Sequence, residues 1–172
     1  MTSAEGIIIR GAPGVGKTEA SRRLAARFPM GTRIEVDALR AMVVSVDWTN
    51  QAEHIAVLSL AAGLVLGFIE KGYKPVVVVD TFSGNKLTAF LADLVEHRPD
   101  LDVRSFALVA TQDVLRSRVM SRPPNRFKDV EICEKLNADV VEHLLPVERL
   151  IDTSALTPEA TAEAIHEECT RR

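Results

Sequence analysis

The segment Gly11-Ala12-Pro13-Gly14-Val15-Gly16-Lys17-Thr18 fits G-x-x-x-x-G-K-[ST] at each fixed position. It stands between the apolar run Ile7-Ile8-Ile9 and a helix-period stretch from Lys17 to Phe28. A strand, this loop and a helix in that order form a phosphate cradle. The glycines let backbone N–H groups turn inward, and the helix N-terminus adds its partial positive charge. Lys17 is expected to reach the β- and γ-phosphates of a bound nucleotide, and the Thr18 hydroxyl to coordinate Mg²⁺.

The rest of the chain alternates strand-like and helix-like periods without repeats or linkers. Strands are expected at Ile7–Arg10, Arg33–Val36, Pro75–Asp80, Val103–Ala110 and Arg149–Ser154. Between them the pattern predicts helices at Lys17–Phe28, from Asp37, and at Gln51–Lys71, Leu87–His97, Gln112–Ser121 and Val130–Leu145, with a last helix after Thr157. The continuously apolar, β-branched "PVVVVD" marks a central parallel strand covered on both faces. The reading is a single domain over residues 1–172 in the α/β class. It is a three-layer α/β/α P-loop NTPase fold, with a parallel sheet of about five strands, helices on both faces and an Arg-rich lid near residues 116–130. Ligands of such a sheet sit at the carboxyl ends of its strands.

Two acidic positions fall at that edge. Asp37, in "EVDALR", is read as ending the second strand, with Arg40 one helical turn further on. An Asp there equally serves as a helix N-cap. Beside the γ-phosphate, though, its carboxylate could take the proton of an attacking hydroxyl, and Arg40 could hold the acceptor. Asp80 ends "VVVVD" in the Walker-B pattern, where a carboxylate holds the metal, and "TFSGN" (Thr81–Asn85) supplies a polar loop for the acceptor. Basic residues crowd between Arg116 and Lys128: Arg118 and Arg122 share a helix face, and Pro123-Pro124 leave Arg126 in a loop. Arg suits developing phosphate charge through its planar fork, so this stretch reads as a lid closing over the nucleotide.

Composition narrows the partners. A net charge of −3 gives no global attraction for nucleic acid or anionic membrane, and only 5% of residues are aromatic, which disfavours a stacking platform for single strands. Cys133 and Cys169 lie far apart and the four histidines show no metal-ligand spacing near them, so neither structural zinc nor a disulfide scaffold is expected. The N-terminus does not resemble a signal peptide, and the expected compartment is the cytosol. The greasy stretch Ile55–Ile69 is too short to span a membrane and is expected as a helix buried in the protein.

Four segments, "GAPGVGKT", "VDALR", "VVVVDTFSGN" and "LRSRVMSR", together with the "RLIDTS" and "TPEATAEAI" ending, resemble the small P-loop kinases of the polynucleotide kinase and zeta-toxin type, grouped as an AAA-like ATPase domain. Chloramphenicol-type phosphotransferases share the phosphate loop and a "VD" at a similar place. The resemblance implies an ATP- and Mg²⁺-dependent phosphotransferase, with Asp37 as general base, Arg40 on acceptor or phosphate, Arg118 and Arg122 as lid arginines and Arg126 as a third. The loop after Asp80 departs from the Asn-rich form usual there. A small-molecule or nucleotide-like hydroxyl acceptor is preferred over a polynucleotide 5′-hydroxyl. A nucleotide-driven regulatory ATPase is the alternative from another class, and a non-catalytic nucleotide binder a third. Oligomeric state does not follow from these motifs.

Overall fold

The computed structural model describes residues 4–171. Five strands, β1 (Gly6–Arg10), β2 (Thr32–Glu35), β3 (Val76–Asp80), β4 (Val103–Val109) and β5 (Glu148–Asp152), form one sheet in the order β2-β3-β1-β4-β5. Each pairing is parallel, so every strand returns through a crossover, and helices cover both faces. The helices are α1 (Lys17–Ala25), α2 (Val36–Arg40), α3 (Gln51–Glu70), α4 (Lys86–His97), α5 (Gln112–Met120), α6 (Val130–Glu142) and α7 (Pro158–Thr170).

Alternation along the strands sorts the core into two. Ile7, Ile9, Val77, Val79, Phe106 and Leu108 pack with Leu24 of α1, Leu115 of α5, Cys133 of α6 and Ile165 of α7. On the other face Ile8, Ile34, Val76 and Val78 pack with Val57, Leu58 and Val65 of α3 and with Leu87, Phe90 and Leu94 of α4. The three-layer α/β/α expectation holds. β1 is central, and its register sets Arg10 beside Asp80, so the phosphate loop leaves the sheet next to the end of β3.

Several expectations are corrected. The helix over the greasy stretch runs for 20 residues and is by length and composition apolar enough to cross a membrane. It lies against the sheet instead, and it is buried only on the stripe His54, Val57, Leu58, Ala61, Ala62, Val65 and Ile69. Ile55, Leu60 and Leu64 face outward, because a helix resting on one sheet face can bury only one side. The last strand starts one residue earlier than expected and ends at Asp152, leaving Thr153 beyond it. Asp37 is neither the end of β2 nor a cap: β2 stops at Glu35, which occupies the N-cap position, and Asp37 is the second residue of α2.

Candidate active site

The phosphate loop takes its shape from backbone constraints. A Cβ on Gly11 would collide with the Leu108 carbonyl oxygen, so only glycine lets the loop leave β1 this close to β4. Gly16 caps α1 in the left-handed region, at φ 98° and ψ 12°, and its neighbour Lys17 is the first residue of the helix. Thr153 pins the loop from the far side: its hydroxyl donates to the Val15 carbonyl (2.9 Å) and also lies 3.1 Å from the Val109 carbonyl. The predicted cradle residues Gly11, Ala12, Pro13, Gly14, Val15, Gly16, Lys17 and Thr18 are thus assembled on one turn at the carboxyl end of β1.

Lys17 folds back onto its own loop, its Nζ donating to the Ala12 carbonyl at 2.9 Å. Burial brings its pKa down to about 8; the charges of Asp80 and Asp37 raise it against that, and Arg122 lowers it further. All four groups therefore share one electrostatic neighbourhood. Asp37 carries the complementary shift: burial first, and Asp80 second, push its carboxyl above the ordinary range, against the pull of Lys17 and Arg40.

Asp80 is buried at the end of β3. Its carboxylate accepts the Phe82 N–H (2.9 Å) and lies 3.2–3.3 Å from Nε2 of His54 on α3. Burial opposes its ionisation, but the His54 hydrogen bond, the His54 charge and the Phe82 N–H outweigh it and hold the carboxyl below the usual range.

The residues named for metal fit a cation held largely by nucleotide and water. Among the described residues no group of three or more His, Cys, Asp or Glu side chains is placed to form a protein cage. Thr18 Oγ1 lies 3.4 Å from Glu35 Oε1, which leaves a hydroxyl and carboxylates as hard oxygen donors near the phosphate position. Magnesium, which keeps several waters and takes few protein ligands, suits that set.

A cleft of about 850 Å³ opens beside the loop. Its walls are Pro13, then Glu35, Asp37 and Ala38 from the β2–α2 junction, Trp48, Arg122 and residues 124–127 from the basic loop, and Leu136 of α6. Asp37, Arg122 and Arg126 thus line one cleft. Arg40 stands behind them: it is buried, its guanidinium lies 4.7 Å from the Trp48 ring centroid, and Nη2 donates to the Asp47 carbonyl at 3.3 Å. Arg118 turns toward Thr153, donating to its hydroxyl (3.0 Å) and carbonyl (2.8 Å), and so braces the phosphate loop through that threonine. Arg122 donates to the Phe127 carbonyl (2.8 Å) across the prolines. Asn85 lines a separate, smaller cleft between α3 and α4, and Thr81 follows Asp80 without lining either one.

Sequence reading missed five participants. Glu35 lines the cleft and is held by Arg33 at 2.6 Å; its signal was a carboxylate two residues before Asp37. His54 carried no local signal, since its partner is 26 residues away. Trp48 lay in an irregular segment between elements. Lys86, in the first turn of α4, feels Asp80 and Arg40, and burial lowers its pKa. Arg10, the last residue of β1, is fully buried. It makes a bidentate pair with Glu148 (2.8 Å to each oxygen) and donates to the carbonyls of Phe82, Val140 and His143.

The fold has counterparts among solved structures. A tunicamycin resistance protein from Deinococcus radiodurans is similar at a TM-score of 0.72 with 21% identity, covering 98% of this chain and 97% of that one. A sugar kinase from Janibacter sp. HTCC2649 gives 0.70 with 18% identity over 94% and 92% of the two chains. A gluconokinase from Sinorhizobium meliloti 1021 gives 0.65 with 17% identity over 98% and 97%. These likenesses establish a shared fold. No curated protein matches the sequence. The family described as the AAA domain matches residues 7–144, from the first strand to just past α6, and the chain belongs to that family.

Proposed function

We propose that the protein is an ATP-dependent phosphotransferase that moves the γ-phosphoryl group onto a hydroxyl of a small molecule. The observation that carries this reading is Asp37. It stands in the wall of a cleft that opens on the phosphate loop, shares the charge environment of Lys17, and has a carboxyl raised toward the range a general base needs. Of the two carboxylates in that wall, Glu35 is already engaged by Arg33, which leaves Asp37 to meet an incoming hydroxyl.

In the reaction the acceptor oxygen attacks the γ-phosphorus and its proton passes to Asp37. The bond from that phosphorus to the β–γ bridging oxygen breaks, and ADP leaves with the electron pair. Little covalent chemistry falls to the protein, so its contribution is positioning and charge stabilisation. Lys17 and the loop N–H groups hold the phosphates, and Arg122 and Arg126 face the transferred group from the basic loop. Thr18 and, through water, Asp80 would hold Mg²⁺, which when bound offsets phosphate charge. The similar structures named as a sugar kinase and a gluconokinase act by those names on small molecules, which supports the same acceptor class here.

The test uses γ-labelled ATP with a panel of hydroxyl compounds, read by label transfer and product mass. Asp37→Asn is expected to retain nucleotide binding while transfer falls by roughly 10² to 10⁴. Full turnover in that variant would remove Asp37 from the mechanism. ATP hydrolysis indifferent to every acceptor would favour a regulatory ATPase.

A further inference from the structure

Aromatic side chains are scarce in this protein, with one Trp, one Tyr and six Phe. Among the phenylalanines Phe127 alone is exposed, at 48%; Phe82, Phe90 and Phe106 are buried, and Phe28 and Phe68 are partly buried against the core. The single tryptophan, Trp48, is 50% exposed. Both of these open rings line the same cleft, one from the segment after α2 and one from the basic loop. Keeping large apolar rings in water is unfavourable, and aromatic groups lining a concave site are typical of ligand pockets.

Trp48 is also held from behind. The Arg40 guanidinium lies over one indole face at 4.7 Å, and Arg40 is itself buried, so the ring is backed by a fixed cation and its exposed half belongs to the cleft. Around the two rings the polar side chains of the cleft are Glu35, Asp37, Arg122, Asn125 and Arg126. Glu35 accepts from Arg33 through Oε2, and Arg122 donates to the Phe127 carbonyl through Nη1, which holds both at the cleft wall. Pro13, Ala38, Pro124 and Leu136 add apolar wall between the two rings and the loop.

We infer that the acceptor is a hydroxylated small molecule bearing a flat aromatic or heteroaromatic ring, seated against Trp48 and Phe127 with its hydroxyl at Asp37. The inference rests on the phosphotransfer reading above and narrows its acceptor. A nucleoside base and an aryl group present the same flat face, and the cleft volume of about 850 Å³ suits a ligand of that size beside the nucleotide phosphates. A polynucleotide would need a basic track leading away from the cleft, and the net charge of −3 does not favour one.

Because Trp48 is the only tryptophan, its fluorescence reports on this wall alone. With Mg²⁺ and a non-hydrolysable ATP analogue saturating, two matched pairs are titrated: phenyl against methyl β-D-glucoside, and uridine or adenosine against methyl riboside. The ring-bearing member of at least one pair should quench Trp48, bind about tenfold or more tighter than its ringless partner, and be the member labelled from γ-labelled ATP. Trp48→Ala and Phe127→Ala should each raise KM for that acceptor about tenfold, with KM for ATP unchanged as the control for folding, and Trp48→Phe should restore most of the loss. Equal binding of ringed and ringless partners overturns the inference, as does failure of every ringed compound to quench at millimolar concentration. Labelling of an oligonucleotide while nucleosides bind no better than the riboside overturns it as well. Labelling of ringless sugars alone sinks the ring site and leaves phosphotransfer standing. Tight ring binding with no acceptor labelled sinks phosphotransfer and leaves the ring site.

Discussion

The inner side of the candidate active site and its outer rim are held in contrasting ways. Inside, Arg10, His54 and Asp80 are buried and each is tied by hydrogen bonds to a partner far away in sequence. At the rim, Trp48 and residues 124–127 stand in solvent, connected to the body chiefly through Arg40 and Arg122. The difference separates two tasks. The groups that support the phosphate loop and the end of β3 are fixed by packing and low dielectric, while those proposed to meet the acceptor sit on segments able to differ without disturbing the sheet.

That contrast breaks most visibly at Arg10. Its guanidinium satisfies Glu148 and three backbone carbonyls at once, joining β1, the loop after β3, the end of α6 and the start of β5. Arg10→Met should cost about 3–5 kcal/mol in urea unfolding, because the Glu148 carboxylate stays buried without its cation. Adding Glu148→Leu should recover only part, since the Phe82 and His143 carbonyls keep no donor from this site. A loss under about 1 kcal/mol would mean that the interior network is not what holds the inner side.

A smaller effect is expected at His54. Removing the ring leaves Asp80 with the Phe82 N–H as its named partner, so His54→Ala should destabilise by roughly 1–3 kcal/mol, cavity included. It should also weaken nucleotide binding measured by calorimetry, whereas rim variants such as Phe127→Ala should leave both quantities nearly unchanged.

The raised carboxyl of Asp37 yields a pH test. With Asp37 as the proposed base the ionised form is the competent one, so kcat/KM should fall about tenfold per pH unit below its pKa. Burial and Asp80 displace that acid limb upward from the ordinary value of 3.8, and Lys17 and Arg40 moderate the rise. The limb should vanish in the residual activity of Asp37→Asn. An acid limb at the ordinary value would show that the side chain is solvated in the working enzyme.

How much of this was legible in the sequence follows the same division. The phosphate loop, the strand ending in Asp80 and the parallel sheet were readable because each is written in consecutive residues with a fixed period or spacing. The partners of those residues were not. His54 meets Asp80 across 26 positions and Arg10 meets Glu148 across 138, and only the crossover topology brings them together. Trp48 escaped for another reason. Low aromatic content argued against stacking when averaged over the chain, whereas the fold gathers Trp48 and Phe127 at one cleft. Arg118 was expected as a lid arginine, but its contact with Thr153 depended on β5 ending two residues earlier than the pattern implied.

The smallest effect is expected at the exposed brace of the basic loop. Arg116 on α5 reaches Glu134 on α6 at 3.0 Å, and Gln112 donates to the same carboxylate at 3.1 Å. Those hydrogen bonds, Gln112 first and Arg116 second, hold the Glu134 carboxyl below its ordinary range. Its low pKa means that any stabilisation is present at neutral pH and is lost as pH falls through the folded value. Exposed pairs gain little from Coulomb attraction because water and salt screen them. Arg116→Gln should therefore lower the urea midpoint only slightly, and the difference from the parent protein should disappear at high salt. If the variant instead unfolds far more easily at every salt concentration, α5 and α6 depend on this pair and the outer rim is less independent of the interior than the geometry implies.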